Sequence, residues 1–171
     1  YLIRPGGATV KTYGSMTAAG LATLYVCFDN LRRDAFVRCL GSEAYKPIVD
    51  GLKWLEKHFS VRENPRLGPN WYYYWLYCLG RVGLASGRRE FGGHDWYAEA
   101  AAELRDTQNP DGSWGSADTV ADTALALLFL ARGRSPVLVN KLRFQGNWNP
   151  RPRDCANLAR WIQLTYEQPV N

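Results

Sequence analysis

The stretch 96–132 constrains this chain more than any other part of it. It is an Ala-rich run, a tight polar loop ending in a tryptophan, and a second, more apolar run. Asn109-Pro110-Asp111-Gly112 is strong turn chemistry, because proline fixes φ, aspartate can bond its own downstream backbone and glycine tolerates positive φ. A helix ending near Gln108 leaves carbonyls without partners. The Gln108 side chain is placed to satisfy some of them while Trp114 folds back over the turn, its indole N–H needing a partner of its own. The spacing L-x3-Q-x3-G-x-W over Leu104, Gln108, Gly112 and Trp114 therefore predicts a corner that ties one helix to the next.

Looser versions of the same parts lie upstream. After a Gly-rich loop over 1–14, Ser15 reads as the N-cap of a first helix over 16–30, followed by a charged connector over 31–41. A second helix is expected over 42–59, with Ile48, Leu52, Leu55 and Phe59 on one stripe. A loop over 61–69 leads to a third helix over 70–85, which contains the aromatic run WYYYWLY. A basic, Gly-rich loop over 86–93 follows. Asp95 is the expected N-cap of the fourth helix and Asp118 or Ser116 that of the fifth. A last short helix is expected over 154–165, and no β-strand is expected between residues 16 and 132.

The odd-numbered helices align with Leu21, Leu76 and Leu127 in register, 55 and 51 residues apart, and Leu24, Leu79 and Leu130 repeat the same spacings. Leu55 and Leu104, and Gly51 and Ala100, align the even-numbered helices at 49. Two interleaved series with a common period near 50 are what stacked helical hairpins produce, since a single hairpin cannot bury its apolar face alone. The fold class that follows is all-α.

With 46% apolar and 22% charged residues the chain has the balance of a soluble globular domain. The net charge of +5 permits anionic partners, but Arg and Lys are scattered without a recognition motif, which argues against nucleic acid. Cys27, Cys39, Cys78 and Cys155 form no C-x-x-C pair; Cys27 and Cys78 sit in apolar helices and read as buried thiols. The apolar runs fall short of the roughly 20 residues that span a bilayer. Tyr1 stands where an initiating Met is expected, so the chain reads as a fragment and its compartment is not legible.

The Leu104–Gln108–Gly112–Trp114 pattern resembles the QW motif of the squalene-cyclase and protein-prenyltransferase repeats, although the basic residue and glycine that usually precede it are lacking. The resemblance covers about residues 13–142 and implies helical hairpins forming part of an α/α toroid. The apolar odd-numbered helices then form the inner ring and the even-numbered ones the outer. The connector 60–69 lacks the G-x-W of the motif, so that repeat differs. Five helices make an arc of such a ring, unless self-association closes it. Residues 1–145 are expected to form this domain and 146–171 a tail or the start of a following domain. Within the tail, PRDCANLARW resembles the opening of an uncharacterised bacterial domain that can follow such repeats.

If the aligned leucines pack against the outer helices, the opposite faces hold Tyr74, Tyr77, Cys78 and Arg81 on the third helix. On the fifth they hold Asp118, Asp122, Leu125, Phe129 and Arg132. Tyr74, Tyr77, Arg81, Asp118, Asp122, Phe129 and Arg132 are therefore the candidate ligand-binding residues, suited to an apolar or cationic ligand through ring faces. Packing is the competing role of such a helix. In isoprenoid cyclases, the resemblance implies, rings and carboxylates of this kind stabilise carbocations. Class II cyclases protonate through D-x-D-D, whereas Asp118-x3-Asp122 offers two carboxylates at another spacing, suited to a helix N-terminus. Prenyltransferases hold zinc with Asp, Cys and His, and neither His58 nor His94 is placed for that. His94-Asp95 is a conceivable acid–base pair, but adjacent residues rarely face each other. No metal and no cofactor are expected.

Three functions are compatible with this pattern. The first is a non-catalytic repeat module that binds a protein partner or an apolar, isoprenoid-like ligand. The second is a piece of an isoprenoid-processing enzyme whose catalytic residues lie outside this chain. The third is a carbohydrate-active toroid, which wants carboxylates facing each other across a cleft.

Overall fold

The computed structural model describes residues 12–31, 45–132, 144–148, 150–151 and 154–166. The expected loop up to residue 11, the connector over 32–44 and the stretch 133–143 lie outside the described residues. Six helices are present among the described residues: α1 (Gly14–Leu31), α2 (Lys46–Lys57), α3 (Tyr72–Ser86), α4 (Trp96–Asp106), α5 (Thr119–Arg132) and α6 (Asp154–Tyr166). The protein is thus mostly helical. One expectation is corrected: the loop before α4 contains two short antiparallel strands, β1 (Glu90–Phe91) and β2 (His94–Asp95). Gly92 and Gly93, both at positive φ, make the reversal between them, and Phe91 is carried into the core with no exposure.

Each helix has a local cause. Pro47 starts α2, where its missing N–H costs nothing, and Ile48, Leu52 and Leu55 are buried along one face as the spacing requires. Apolar on nearly every side, α3 is packed on both flanks and ends at Gly87, whose φ of 66° forms a left-handed C-cap. The Asp95 carboxylate accepts from the Ala98 N–H at 3.0 Å and caps α4. Asp118 does the same for α5, accepting from Ala121 N at 3.2 Å.

Ser15 is not a cap. It lies inside α1, buried, and its own N–H donates to the Asn64 side-chain oxygen at 2.9 Å. Gly14 N–H likewise donates to the Pro65 carbonyl at 2.9 Å. The free donors at the start of α1 are therefore satisfied by a loop about fifty residues away, a partner that no local pattern reveals.

Helix α3 lies between α1 and α5, and the α1–α3 and α3–α5 contacts are the most extensive in the molecule. Packed against α1 is α2, and against α3 is α4. Glycines set these approaches. A Cβ on Gly51 would come within 2.6 Å of Leu21 Cδ2, so α2 closes on α1 only because that atom is missing. Gly83 receives the Trp96 ring from α4, and Gly80 receives Phe129 from α5.

The leucine register holds in part. Leu21, Leu76 and Leu79 are buried, as are Leu55 and Leu104, and Leu24 and Leu130 pack partly buried against the core. Leu127, by contrast, is 52% exposed, while Ala126 and Phe129 take the inward positions of α5. A one-residue change of phase turns a helix face by about 100°. The notch at Gly80, fitted by Phe129, sets the rotation of α5 instead of the leucine spacing.

Candidate functional site

The corner between α4 and α5 is built from its turn outward. Gly112, at φ 85°, donates its N–H to the Asn109 carbonyl at 2.9 Å, and Asn109 N–H donates to the Ser113 carbonyl at 2.9 Å. Asp111 accepts from both the N–H and the hydroxyl of Ser113, and these bonds hold its carboxyl below the usual range. Trp114 is buried, and its Nε1–H donates to the Leu104 carbonyl at 2.7 Å. The indole thus satisfies a last-turn carbonyl of α4. Gln108 does not share that role: its amide donates to the Gly112 carbonyl at 2.8 Å and stiffens the turn. Trp114 N–H donates to Thr123 Oγ1 on α5, and Gly115 N–H donates to the Tyr73 hydroxyl on α3 at 3.1 Å.

The connector between α2 and α3 uses the same frame, although it lacks G-x-W. Asn64 N–H donates to the Gly68 carbonyl and Leu67 N–H donates back to the Asn64 carbonyl, both at 2.9 Å. The Asn64 side-chain amide donates to the Asn70 carbonyl at 3.0 Å, as the Asn109 amide does to the Gly115 carbonyl at 3.1 Å. Reading for G-x-W alone passed over Asn64. The Asn-Pro dipeptide shared by Asn64-Pro65 and Asn109-Pro110 is the signal that marks it.

On α3, Tyr74, Tyr77, Cys78 and Arg81 do come together. The Tyr74 and Tyr77 rings stack at 6.5 Å between centroids, and the Arg81 guanidinium lies 5.8 Å from the Tyr77 centroid. The Tyr74 hydroxyl and the Cys78 thiol are neighbours that influence each other's ionisation. Burial pushes the Cys78 thiol up to about 11, against smaller opposing effects of Tyr74 and Arg81.

The α5 candidates disperse. Asp118 is committed to capping. Asp122 lies against Gly115, and burial followed by the neighbouring Asp118 raises its carboxyl above the usual range. Phe129 is 2% exposed and packs on Gly80, Trp96 and Tyr97, with its ring 6.0 Å from Trp96 and 5.6 Å from Tyr97. It fills the core and lines no open surface. Arg132 is the last residue of α5, and its side chain lies outside the described residues.

The histidines are engaged separately. His58 stacks on Trp54 and His94 on Phe59, and His94 Nδ1 is 3.0 Å from Glu99. Asp95 turns instead to the Ala98 N–H and to Arg89, which together hold its carboxyl below the usual range. The adjacent His94 and Asp95 therefore do not form a pair with each other. Cys27 corrects the expectation of a buried thiol, being exposed, whereas Cys78 is buried. No group of three or more His, Cys, Asp or Glu suited to a metal occurs among the described residues, and no described helix is long and apolar enough to cross a membrane. No family model, no curated protein and no solved structure matches this chain.

Proposed function

We propose that this chain is a non-catalytic helical-repeat module, related in plan to the cyclase and prenyltransferase toroids, whose role is to hold a binding surface for a protein partner or an apolar ligand. The observation that carries the reading is the shared hydrogen-bond frame of the two connectors, Asn64–Asn70 and Asn109–Gly115. A corner used twice, each time leading into a helix of the α1–α3–α5 row, is what stacked hairpins need. The chemistry-bearing groups also have structural work: Asp95 and Asp118 cap helices, and His94 joins Phe59 to Glu99. The Tyr74–Tyr77–Arg81 strip is the surface this reading assigns to a ligand. A thermal-shift screen of polyprenols, isoprenoid diphosphates and oligosaccharides tests it. Stabilisation by an isoprenoid that disappears in Tyr77→Ala supports the apolar ligand. No stabilisation by any of them leaves the protein partner, and stabilisation by oligosaccharides alone overturns the reading.

A further inference from the structure

Helices α1, α3 and α5 form a row with α2 and α4 on one side of it, where Arg62 of the α2–α3 connector pairs with Glu103 of α4. Leu21 of α1 meets α2 at Gly51, and Gly83 of α3 meets α4 at Trp96. At about 100° per residue, Met16 and Thr23 then lie on the far side of α1, and Tyr74 and Arg81 on the far side of α3. On α5, Leu128 lies opposite Leu130, whose carbonyl accepts from Tyr97 of α4. Met16 is 47% exposed and Leu128 41%, with Tyr74 and Tyr77 half-buried between them.

This open face holds a single described charge. Helix α1 carries no charged side chain from Gly14 to Phe28, Arg81 is the only charged residue of α3, and Asp122 of α5 turns to Gly115. Arg62, Arg88, Arg89 and Arg105 each pair with a carboxylate. The Arg81 guanidinium has no such partner among the described residues and rests on the Tyr77 ring. At the other end of the strip, Trp71 is 72% exposed at a φ of 56°, a left-handed conformation rare for a bulky residue. A strained residue of this kind points to a functional demand on its position.

We infer that this face binds a long-chain carboxylate, with the head on Arg81 and the chain running along Tyr77 and Tyr74 towards Trp71. The inference rests on the reading that the Tyr74–Tyr77–Arg81 strip takes a ligand, and it names the ligand's class. Charge selects the head. One guanidinium balances one negative charge, and its planar fork matches the two oxygens of a carboxylate, whereas a diphosphate would leave most of its charge unmatched. Length selects the chain. Ten residues separate Trp71 from Arg81, about 15 Å along a helix, close to the extended length of a dodecanoyl chain. The rings of α3, flanked by Met16 and Leu128, remove that chain from water.

Isothermal calorimetry on the full chain, with probes kept below their micellar concentrations, tests the proposal. Dodecanoate, dodecanol and dodecyltrimethylammonium share one chain and differ in head charge. Dodecanoate should bind best, and Arg81→Gln should weaken it about tenfold while leaving dodecanol unchanged. Leu128→Gln, at an exposed position, should weaken both with an unchanged far-UV circular dichroism spectrum. Trp71→Gly should raise the melting temperature by relieving the backbone and still weaken dodecanoate, a combination that a purely structural role does not give. Equal binding of dodecanol and dodecanoate overturns the carboxylate and leaves the apolar-ligand reading standing. Tighter binding of farnesyl diphosphate than of dodecanoate also overturns the carboxylate head. Dodecanoate binding that survives Arg81→Gln or Trp71→Gly overturns the placement on α3. Binding of no probe overturns the inference and the apolar-ligand reading together.

Discussion

Asn64 and Asn109 occupy matching positions in two connectors. Each donates its backbone N–H to the carbonyl four residues on, and its side-chain amide to the carbonyl six residues on, at 3.0 Å for Asn64 and 3.1 Å for Asn109. They differ in burial and in what else they hold. Asn64 has no exposure and also bonds Ser15 on α1, whereas Asn109 is half-buried and bonds Ser113 within its own turn. Asn64→Ala strands the Ser15 N–H and the Asn70 carbonyl, and is expected to cost about 2–3 kcal/mol. Asn109→Ala is expected to cost about 1 kcal/mol, since water can replace its partners. Urea denaturation of both variants checks the order, and equal losses would contradict the burial argument.

Trp114 separates ring burial from hydrogen bonding. Trp114→Phe keeps most of the apolar contact but leaves the Leu104 carbonyl without its donor, a loss of about 1–3 kcal/mol. Trp114→Ala adds a cavity and should cost about 3–5 kcal/mol. Gln108→Ala, whose amide serves only the exposed turn, is expected to cost well under either. Thermal unfolding ranks the three variants.

Two glycines in helices should respond in opposite directions to alanine. A Cβ at Gly83 runs into the Trp96 ring, so Gly83→Ala overpacks the α3–α4 contact and should destabilise by about 1–3 kcal/mol. At Gly20 nothing lies within 4 Å of a built Cβ, and the residue sits in the middle of α1. Gly20→Ala should stabilise by about 0.5–1 kcal/mol by removing backbone freedom from the unfolded chain. Melting temperatures moving the same way in both variants would refute the packing shown at Gly83.

Asp95 and Asp122 give stability opposite dependences on pH. Asp95 has a depressed folded pKa, through the Ala98 N–H first and Arg89 after it. Its contribution is therefore present above its unfolded value of about 3.9 and lost as pH falls through the folded pKa. Asp95→Ala should cost about 1 kcal/mol near neutrality, with the difference shrinking in acid. Asp122 has a raised folded pKa from burial and Asp118, so its ionised form opposes folding. Asp122→Asn should raise the melting temperature near pH 7, and this gain should fade as pH falls through the raised folded pKa and be gone below about 4. Melting curves of both variants at acid and neutral pH check the crossing signs.

Thiol reactivity should follow exposure. Cys27 is exposed and Cys78 is buried with its thiol pushed up to about 11. Alkylation of the native protein near pH 8, followed by mass spectrometry, should label Cys27 early and Cys78 only after unfolding.

Residues whose partners lie within a few positions were readable in advance. Asp95 and Asp118 cap the helices that follow them, Ile48, Leu52 and Leu55 share one buried face, and Asn109-Pro110-Asp111-Gly112 turns, because each depends on helical periodicity or on a side chain's own backbone. Tyr74, Tyr77 and Arg81 meet for the same reason, one helical turn apart. Ser15 and Gln108 misled, because each competed with a distant or larger partner. Asn64 took the start of α1, and the Trp114 indole took the carbonyl that Gln108 was expected to cap.

The amino-acid order by itself determined where helices form and what stops them, since capping, turn chemistry and apolar stripes act over three or four residues. Only the tertiary structure decided how those helices are rotated. Leu127 and Phe129 both belong to an apolar helix, and nothing local distinguishes them. The notch at Gly80 and the ring of Trp96 draw Phe129 inward and leave Leu127 outside, because close packing selects the side chain whose shape fills the gap.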